Sequence, residues 1–155
     1  MIRVIMAASD SDSIQHVEQL IAGAEGIELS LRADNLDSFK SMVTSPDWQV
    51  CLLSLSYPSE LLKDLIISLN LANPDGKVIL LSDGADKEQI LDLLSLGASG
   101  FLEYKDLEKF IIKAIVKVWE GEAWIPRSMV VLILDRLTWL NSFSGSSGSS
   151  STNVQ

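Results

Sequence analysis

The chain has 155 residues, of which 47% are hydrophobic and 21% are charged, and this length and composition suit one folded domain with a full core. A formal net charge of -9 repels phosphate backbones and anionic headgroups, so we expect no direct binding of nucleic acid or of a membrane. One cysteine, Cys51, and one histidine, His16, exclude an internal disulfide and a Cys/His zinc site, and no run approaches the roughly 18 apolar residues of a membrane span. We therefore expect a cytoplasmic protein.

The first half of the chain alternates short apolar runs with stretches of helical period, a pattern typical of a parallel sheet covered by helices. Residues 2–7 are predicted as a buried strand, and 13–24 as the helix that follows it. A second strand over 27–31 alternates apolar and polar residues, as an edge strand does, and a second helix covers about 36–43. The run at 50–53 is apolar on both faces and predicts a central strand.

The second half repeats this pattern with a helix over 59–72, a strand over 77–81, a helix over 86–96, a strand over 101–103 and a helix over 106–120. Five strand–helix units with right-handed crossovers predict an α/β fold with a doubly wound, five-stranded parallel sheet in the flavodoxin-like order 2-1-3-4-5. We expect this first domain to cover 1–122.

The chain continues beyond the five strand–helix units. We predict an extra C-terminal helix over 123–140, because Pro126 suits a helix start and the later residues are apolar all round, and a disordered Ser/Gly-rich linker or tail over 141–155. An apolar helix requires a partner surface, so this one either packs on its own domain or forms a dimer. The candidate dimer residues are Met129, Val130, Ile133, Leu134, Leu137, Trp139 and Leu140.

Four segments in chain order carry a resemblance to a known family: IRVIMA at 2–7, LLSLSYP at 52–58, VILLS at 78–82 and GASGFL at 97–102. Together they resemble the CheY-like receiver domain of two-component response regulators. The closest resemblance is to the NarL/LuxR type, whose receivers precede a LuxR-type helix-turn-helix, and KVWEGEAWIP at 117–126 is similar to the stretch that ends those receivers. The resemblance covers about residues 1–137 and implies a phosphorylation site at the carboxyl ends of the strands.

In working receivers an Asp after the third strand accepts the phosphoryl group, and two acidic residues after the first strand hold Mg²⁺. The resemblance places the acidic pair on Ala8 and Ser9 and the acceptor on Ser54. A hydroxyl without a base is no substitute nucleophile, and a hard cation needs carboxylate oxygens, so we expect no metal and no cofactor. Asp10 and Asp12 either start the first helix, which we favour, or hold a weak metal site.

The remaining family positions fall on later strands. Ser82 matches the hydroxyl residue of the fourth strand and Phe101 the aromatic residue of the fifth, whereas the family's Lys falls on Tyr104, with Lys105 one position late and facing elsewhere. These changes predict a pseudo-receiver, which keeps the fold and has lost the phosphorylation chemistry. We also expect no enzymatic activity, because His16 lies inside the first helix rather than at a strand end beside a serine.

Two functions follow from these features. The first is a phosphorylation-independent module that dimerises or docks a partner protein and so controls a DNA-binding output domain. The alternative is a cyclic di-GMP sensor, because Trp124-Ile125-Pro126-Arg127 resembles the motif with which some pseudo-receiver regulators bind that dinucleotide. Arg127 could stack on guanine and pair with phosphate and Trp124 adds a flat face, although Pro126 stands where the motif has a hydroxyl.

Overall fold

The computed structural model describes residues 1–143, with side chains up to residue 138, and divides into two compact units, Met1–Ile125 and a second that begins at Pro126. The first unit contains a five-stranded parallel sheet in the order β2-β1-β3-β4-β5. The predicted fold class and strand order are therefore confirmed. None of the helices in the described residues is both long and apolar enough to cross a bilayer.

The elements follow the predicted alternation closely. The strands are β1 Ile2–Ala7, β2 Ile27–Ala33, β3 Val50–Ser54, β4 Lys77–Ser82 and β5 Gly100–Glu103. The helices are α1 Ser11–Ala22, α2 Leu36–Met42, α3 Ser59–Ala72, α4 Lys87–Ser95, α5 Leu107–Trp119 and α6 Arg127–Phe143, with a 3₁₀ turn at Tyr104–Asp106 before α5.

The core is built around β3, all five residues of which are buried. This strand lies between β1 and β4 and has helices on both faces, which is why its sequence is apolar without alternation. Each fully buried aliphatic side chain stabilises the fold by about 1.5–3 kcal/mol. The register pairs Ala7 with Leu53 and Ser54 with Leu81, so the carboxyl ends of the three central strands lie at one edge of the sheet.

The chain after α5 departs from the prediction. The extra helix was predicted over 123–140, but α6 begins at Arg127 and runs to Phe143. Trp124 instead forms a parallel bridge with Gly100. Pro126 explains the difference, because a proline disfavours helical backbone in the residue before it. Of the predicted tail over 141–155, the first three residues belong to α6 and the rest lies outside the described residues.

Candidate functional site at the carboxyl ends of the strands

The loop after β1 carries an apolar side chain and a helix cap where the resemblance implies metal ligands. Ala8 is fully buried and brings a methyl group to the position that the resemblance gives to an acidic residue. The Asp10 carboxylate accepts hydrogen bonds from the backbone N–H and the hydroxyl of Ser13, both at 2.9 Å, and so caps α1. Asp12 lies in the first turn of the same helix. The interpretation of Asp10 as a helix start is confirmed.

A chain of four hydroxyl groups, from Tyr104, Ser54, Ser56 and Ser9, runs across this edge of the sheet; we call it the hydroxyl chain. Tyr104 donates to Ser54 Oγ at 2.7 Å. The hydroxyl oxygens of Ser54 and Ser56 lie 3.1 Å apart, and Ser9 donates to Ser56 Oγ at 2.7 Å. Ser54 is only 1% exposed, so its hydrogen bonds replace nearly all of its hydration.

The protons of the hydroxyl chain can be counted. Tyr104 and Ser9 each give their proton to a serine oxygen, and the bond between Ser54 and Ser56 uses one of the two remaining serine protons. Because Ser54 is buried and Ser56 is exposed, we assign the Ser54 proton to this bond, which leaves the Ser56 proton to donate to solvent. The hydroxyl chain is thus neutral, and its hydrogen bonds need no cation.

The other family positions also lie at this edge. Ser82 is buried and its oxygen accepts a hydrogen bond from the Ala85 N–H at 2.8 Å, which folds the loop after β4. Phe101 is buried on β5. The Lys105 side chain is 76% exposed and pairs with Glu103 at 3.1 Å. Tyr104, and not Lys105, therefore occupies the place opposite Ser54.

A surface cavity of about 470 Å³ lies over the hydroxyl chain. Three carboxylates surround it, and no lysine or arginine of the described residues lines it, so the local potential disfavours an anionic phosphoryl donor. His16 lines the same cavity, but the side-chain hydrogen bonds of Ser54 among the described residues are with Tyr104 and Ser56. The lining residues are Asp10, Asp12, Ser13, His16, Ser54, Ser56, Asp83 and Tyr104.

This donor set does not fit the Mg²⁺ ion that the family resemblance implies. Mg²⁺ prefers carboxylate oxygens in near-octahedral geometry, whereas Ala8, Ser9 and Ser54 offer a methyl group and neutral hydroxyls. Asp10 is occupied as the cap of α1. Among the described residues, no three His, Cys, Asp or Glu side chains are grouped to hold a metal ion.

Comparison with known proteins finds a curated relative and solved structures of similar fold, although no family model matches the chain. The nitrate/nitrite response regulator protein homolog of Haemophilus influenzae is 28% identical over 126 residues, which cover 81% of this chain and 54% of that protein. The chain therefore spans about half the length of this relative.

Solved structures agree in fold. The isolated receiver domain of RcsB from Salmonella enterica serovar Typhimurium, determined in the presence of the phosphomimetic BeF₃⁻, has a TM-score of 0.73 at 17% identity, over 85% of this chain and 98% of that one. A LuxR family DNA-binding response regulator from Silicibacter pomeroyi has a TM-score of 0.67 at 23% identity, over 83% and 99% of the two chains. The fold is therefore that of a receiver domain, and the sequence is similar to that of a NarL/LuxR-type response regulator.

Trp124 and Arg127 were predicted as a ligand-binding pair. The Trp124 ring is partly buried against Phe110, with ring centroids 5.8 Å apart, and packs on the core of the first unit. Arg127 is exposed and is the first residue of α6, in the second unit. Trp124 therefore has a packing role of its own, whatever else it binds.

The candidate dimer residues all lie on α6. Three of them are exposed and follow one another at spacings of four and three residues: Val130, Leu134 and Leu137. Ile133 is partly buried and Met129 is buried. The side chains of Trp139 and Leu140 lie outside the described part of the chain.

Sequence reasoning did not place four of the cavity-lining residues at this site: Ser13, His16, Ser56 and Asp83. Ser56 is an inner member of the hydroxyl chain, since its oxygen contacts both Ser9 and Ser54. Asp83 directly follows the family position at Ser82.

Proposed function

We propose that the chain is a phosphorylation-independent receiver, a pseudo-receiver that acts through protein contacts. The observation that carries this proposal is the hydrogen bond from Tyr104 to Ser54. It joins, through neutral groups, the two positions where the resemblance implies a lysine and a phospho-accepting aspartate. A neutral pair has no carboxylate to form an acyl phosphate and no cation to stabilise one.

The chemistry of Ser54 supports this proposal. A serine attacks phosphorus only when a base removes its proton, and the hydrogen-bond partners of Ser54 are two other hydroxyl groups. The carboxylates of Asp10, Asp12 and Asp83 around the cavity further repel a phosphate monoester or BeF₃⁻. The RcsB receiver was determined with that phosphomimetic. We expect this chain not to retain it.

The test is incubation of the full chain with acetyl phosphate and Mg²⁺, followed by intact-mass spectrometry. We expect no phosphoryl adduct. A control variant carries Ala8→Asp, Ser9→Asp, Ser54→Asp and Tyr104→Lys, which restores the family residues, and an adduct on it shows that the assay detects phosphorylation. A stable adduct on the natural chain, mapped to any residue of the site, would overturn the proposal.

We further propose that α6 is the surface through which the receiver dimerises or docks, and so controls a DNA-binding output domain in the full-length regulator. Exposed aliphatic side chains on one side of a helix favour association. Light scattering on the full chain tests dimerisation: we expect a dimer that L134E together with L137E converts to a monomer. L71E is the matched control, because Leu71 on α3 is 79% exposed. A monomeric natural chain, or a dimer that survives the double substitution, contradicts dimerisation through α6.

The alternative proposal, a cyclic di-GMP sensor, rests on the residue pattern at 124–127. Calorimetric titration of the full chain with the dinucleotide tests it, with R127A as the variant that removes the guanidinium. Saturable heat that R127A abolishes would support it. Absence of heat at tens of micromolar ligand would contradict it.

A further inference from the structure

Trp124 is attached to the free edge of β5. Its N–H donates to the Ser99 carbonyl at 3.0 Å, and its carbonyl accepts from the Phe101 N–H at 2.8 Å. These are the hydrogen bonds of a parallel strand one residue long, placed beside the last strand of the sheet. We call residues 122–125 the strap.

The strap also lies close to the position that a side chain on Gly100 would occupy. A Cβ on Gly100 would lie 3.2 Å from the Trp124 Cβ and 3.2 Å from its carbonyl oxygen, so the strap reaches this position because residue 100 has no side chain. The Trp124 ring packs against Phe110 of α5 at an interplanar angle of 47°. Such tilted aromatic pairs contribute about 0.5–1.5 kcal/mol beyond the area that they bury.

The same short strand also reaches the hydroxyl chain. β5 contains only four residues. The N–H of Phe101 is held by the strap, and three residues later the side chain of Tyr104 is held by Ser54. A displacement of this strand therefore changes both contacts.

We propose that the strap is a releasable connection, docked on β5 with a stability that depends on the hydrogen bond between Tyr104 and Ser54. Breaking that bond makes the end of β5 more mobile and weakens the docking of Trp124. The hydroxyl chain therefore determines how firmly the segment leading into α6 is held. Because coupling between two sites is reciprocal, loss of the strap also disturbs Tyr104. The inference rests on the proposed function only in treating α6 as the output surface.

Amide hydrogen exchange on the full chain tests the first direction of the coupling. In Y104F, exchange of the Trp124 and Phe101 amides should accelerate about fivefold or more relative to the Ala8 amide, which is bonded to Ala33 at the other side of the sheet. Y57F is the matched control, since it also removes a tyrosine hydroxyl at this edge. Equal acceleration in both variants, or none in Y104F, overturns the coupling.

The reverse direction uses the two tyrosines of the chain, Tyr57 and Tyr104, labelled as 3-fluorotyrosine. G100A places a methyl group against the strap without removing Trp124. The fluorine resonance of Tyr104 should shift or broaden, and that of Tyr57 should not. If W124A, a second variant, and G100A both leave the Tyr104 resonance unchanged, the coupling is wrong. The phosphoryl-uptake result is independent of this outcome.

Discussion

Tyr104 and Ser54 are 50 residues apart in the sequence, yet their hydroxyl oxygens lie 2.7 Å apart and join the end of β5 to the end of β3. This bond replaces a buried charge cluster by a neutral pair. A buried charge cluster costs several kcal/mol of desolvation per ion and depends on its counter-ions, whereas a neutral hydrogen bond contributes a net 0.5–1.5 kcal/mol, roughly, without any ion. The connection between these two strands therefore does not depend on a bound ion.

We expect Y104F to lower the free energy of unfolding by about 1 kcal/mol, since it removes a donor to a serine that is almost fully buried. Urea denaturation measures the change. Y57F is the control: Tyr57 donates to the Asp34 carbonyl at 3.0 Å in a more exposed place, where water replaces the lost bond, so we expect a smaller loss. A loss in Y57F as large as that in Y104F would contradict this account.

G76A should destabilise the fold by about 1–3 kcal/mol, because overpacking forces rigid neighbours to move. A Cβ on Gly76 would lie 2.5 Å from two ring atoms of Trp48, which is buried, and 2.9 Å from the Asn73 amide nitrogen. G23A is the matched control. Gly23 ends α1 with φ at -85° and has nothing among the described residues within 4 Å of an added Cβ, so this variant should be neutral or slightly more stable. Equal midpoints in thermal denaturation of the two variants would show that the contact with Trp48 relaxes freely.

The sheet could be predicted from the sequence because its signals are local. Continuous apolar runs such as 50–53 identify central strands, and the crossover rule orders them. The start of α6 was predicted too early, because no local feature of the sequence shows that Trp124 pairs with Gly100. A single-residue bridge between segments more than twenty residues apart leaves no periodic pattern.

The position of the site could be predicted from the sequence, but only some of its residues and contacts could. The family resemblance located Ser54 and Tyr104 separately. It gave no reason to connect them, because a tyrosine reaches across the site only when the loop after β5 has the observed backbone. Ser56 was missed for the same reason, as the direction of a loop side chain is decided by long-range contacts.

Tyr57 makes stability depend on pH in the alkaline range. Burial, followed by the nearby Asp34 carboxylate, raises the pKa of Tyr57 to about 12 from an ordinary value of 10. The folded state therefore keeps this proton where the unfolded state releases it. The resulting stabilisation is complete below pH 10 and is lost as pH rises towards 12. Urea midpoints of the natural chain and Y57F should converge over this range, and a constant difference between them would contradict the prediction.

Cys51 should be unreactive in the native state. Its side chain is fully buried on β3, and burial raises the pKa of the thiol because the thiolate loses its hydration. Ellman's reagent should therefore label the native chain only as fast as it opens, and label the urea-unfolded chain at once. S30C in a C51S background places a thiol on the edge strand β2 as the accessible control. Rapid labelling of Cys51 under native conditions would show that β3 opens locally.

Restoring only the aspartate at position 54 should destabilise the fold rather than restore phosphorylation. S54D places a carboxylate in a buried position with hydroxyl donors but no cation, so desolvation raises the pKa of the introduced group above its unfolded value of about 3.9. The penalty is then absent below the unfolded pKa and grows as pH rises through the folded pKa. We expect a loss of about 1–3 kcal/mol at pH 7 that disappears near pH 4. Adding Y104K should recover part of it, with a coupling energy of about 0.5–3 kcal/mol in a double-mutant cycle over S54D and Y104K. Additive effects of the two substitutions would mean that residues 54 and 104 do not face each other as the hydroxyl chain requires.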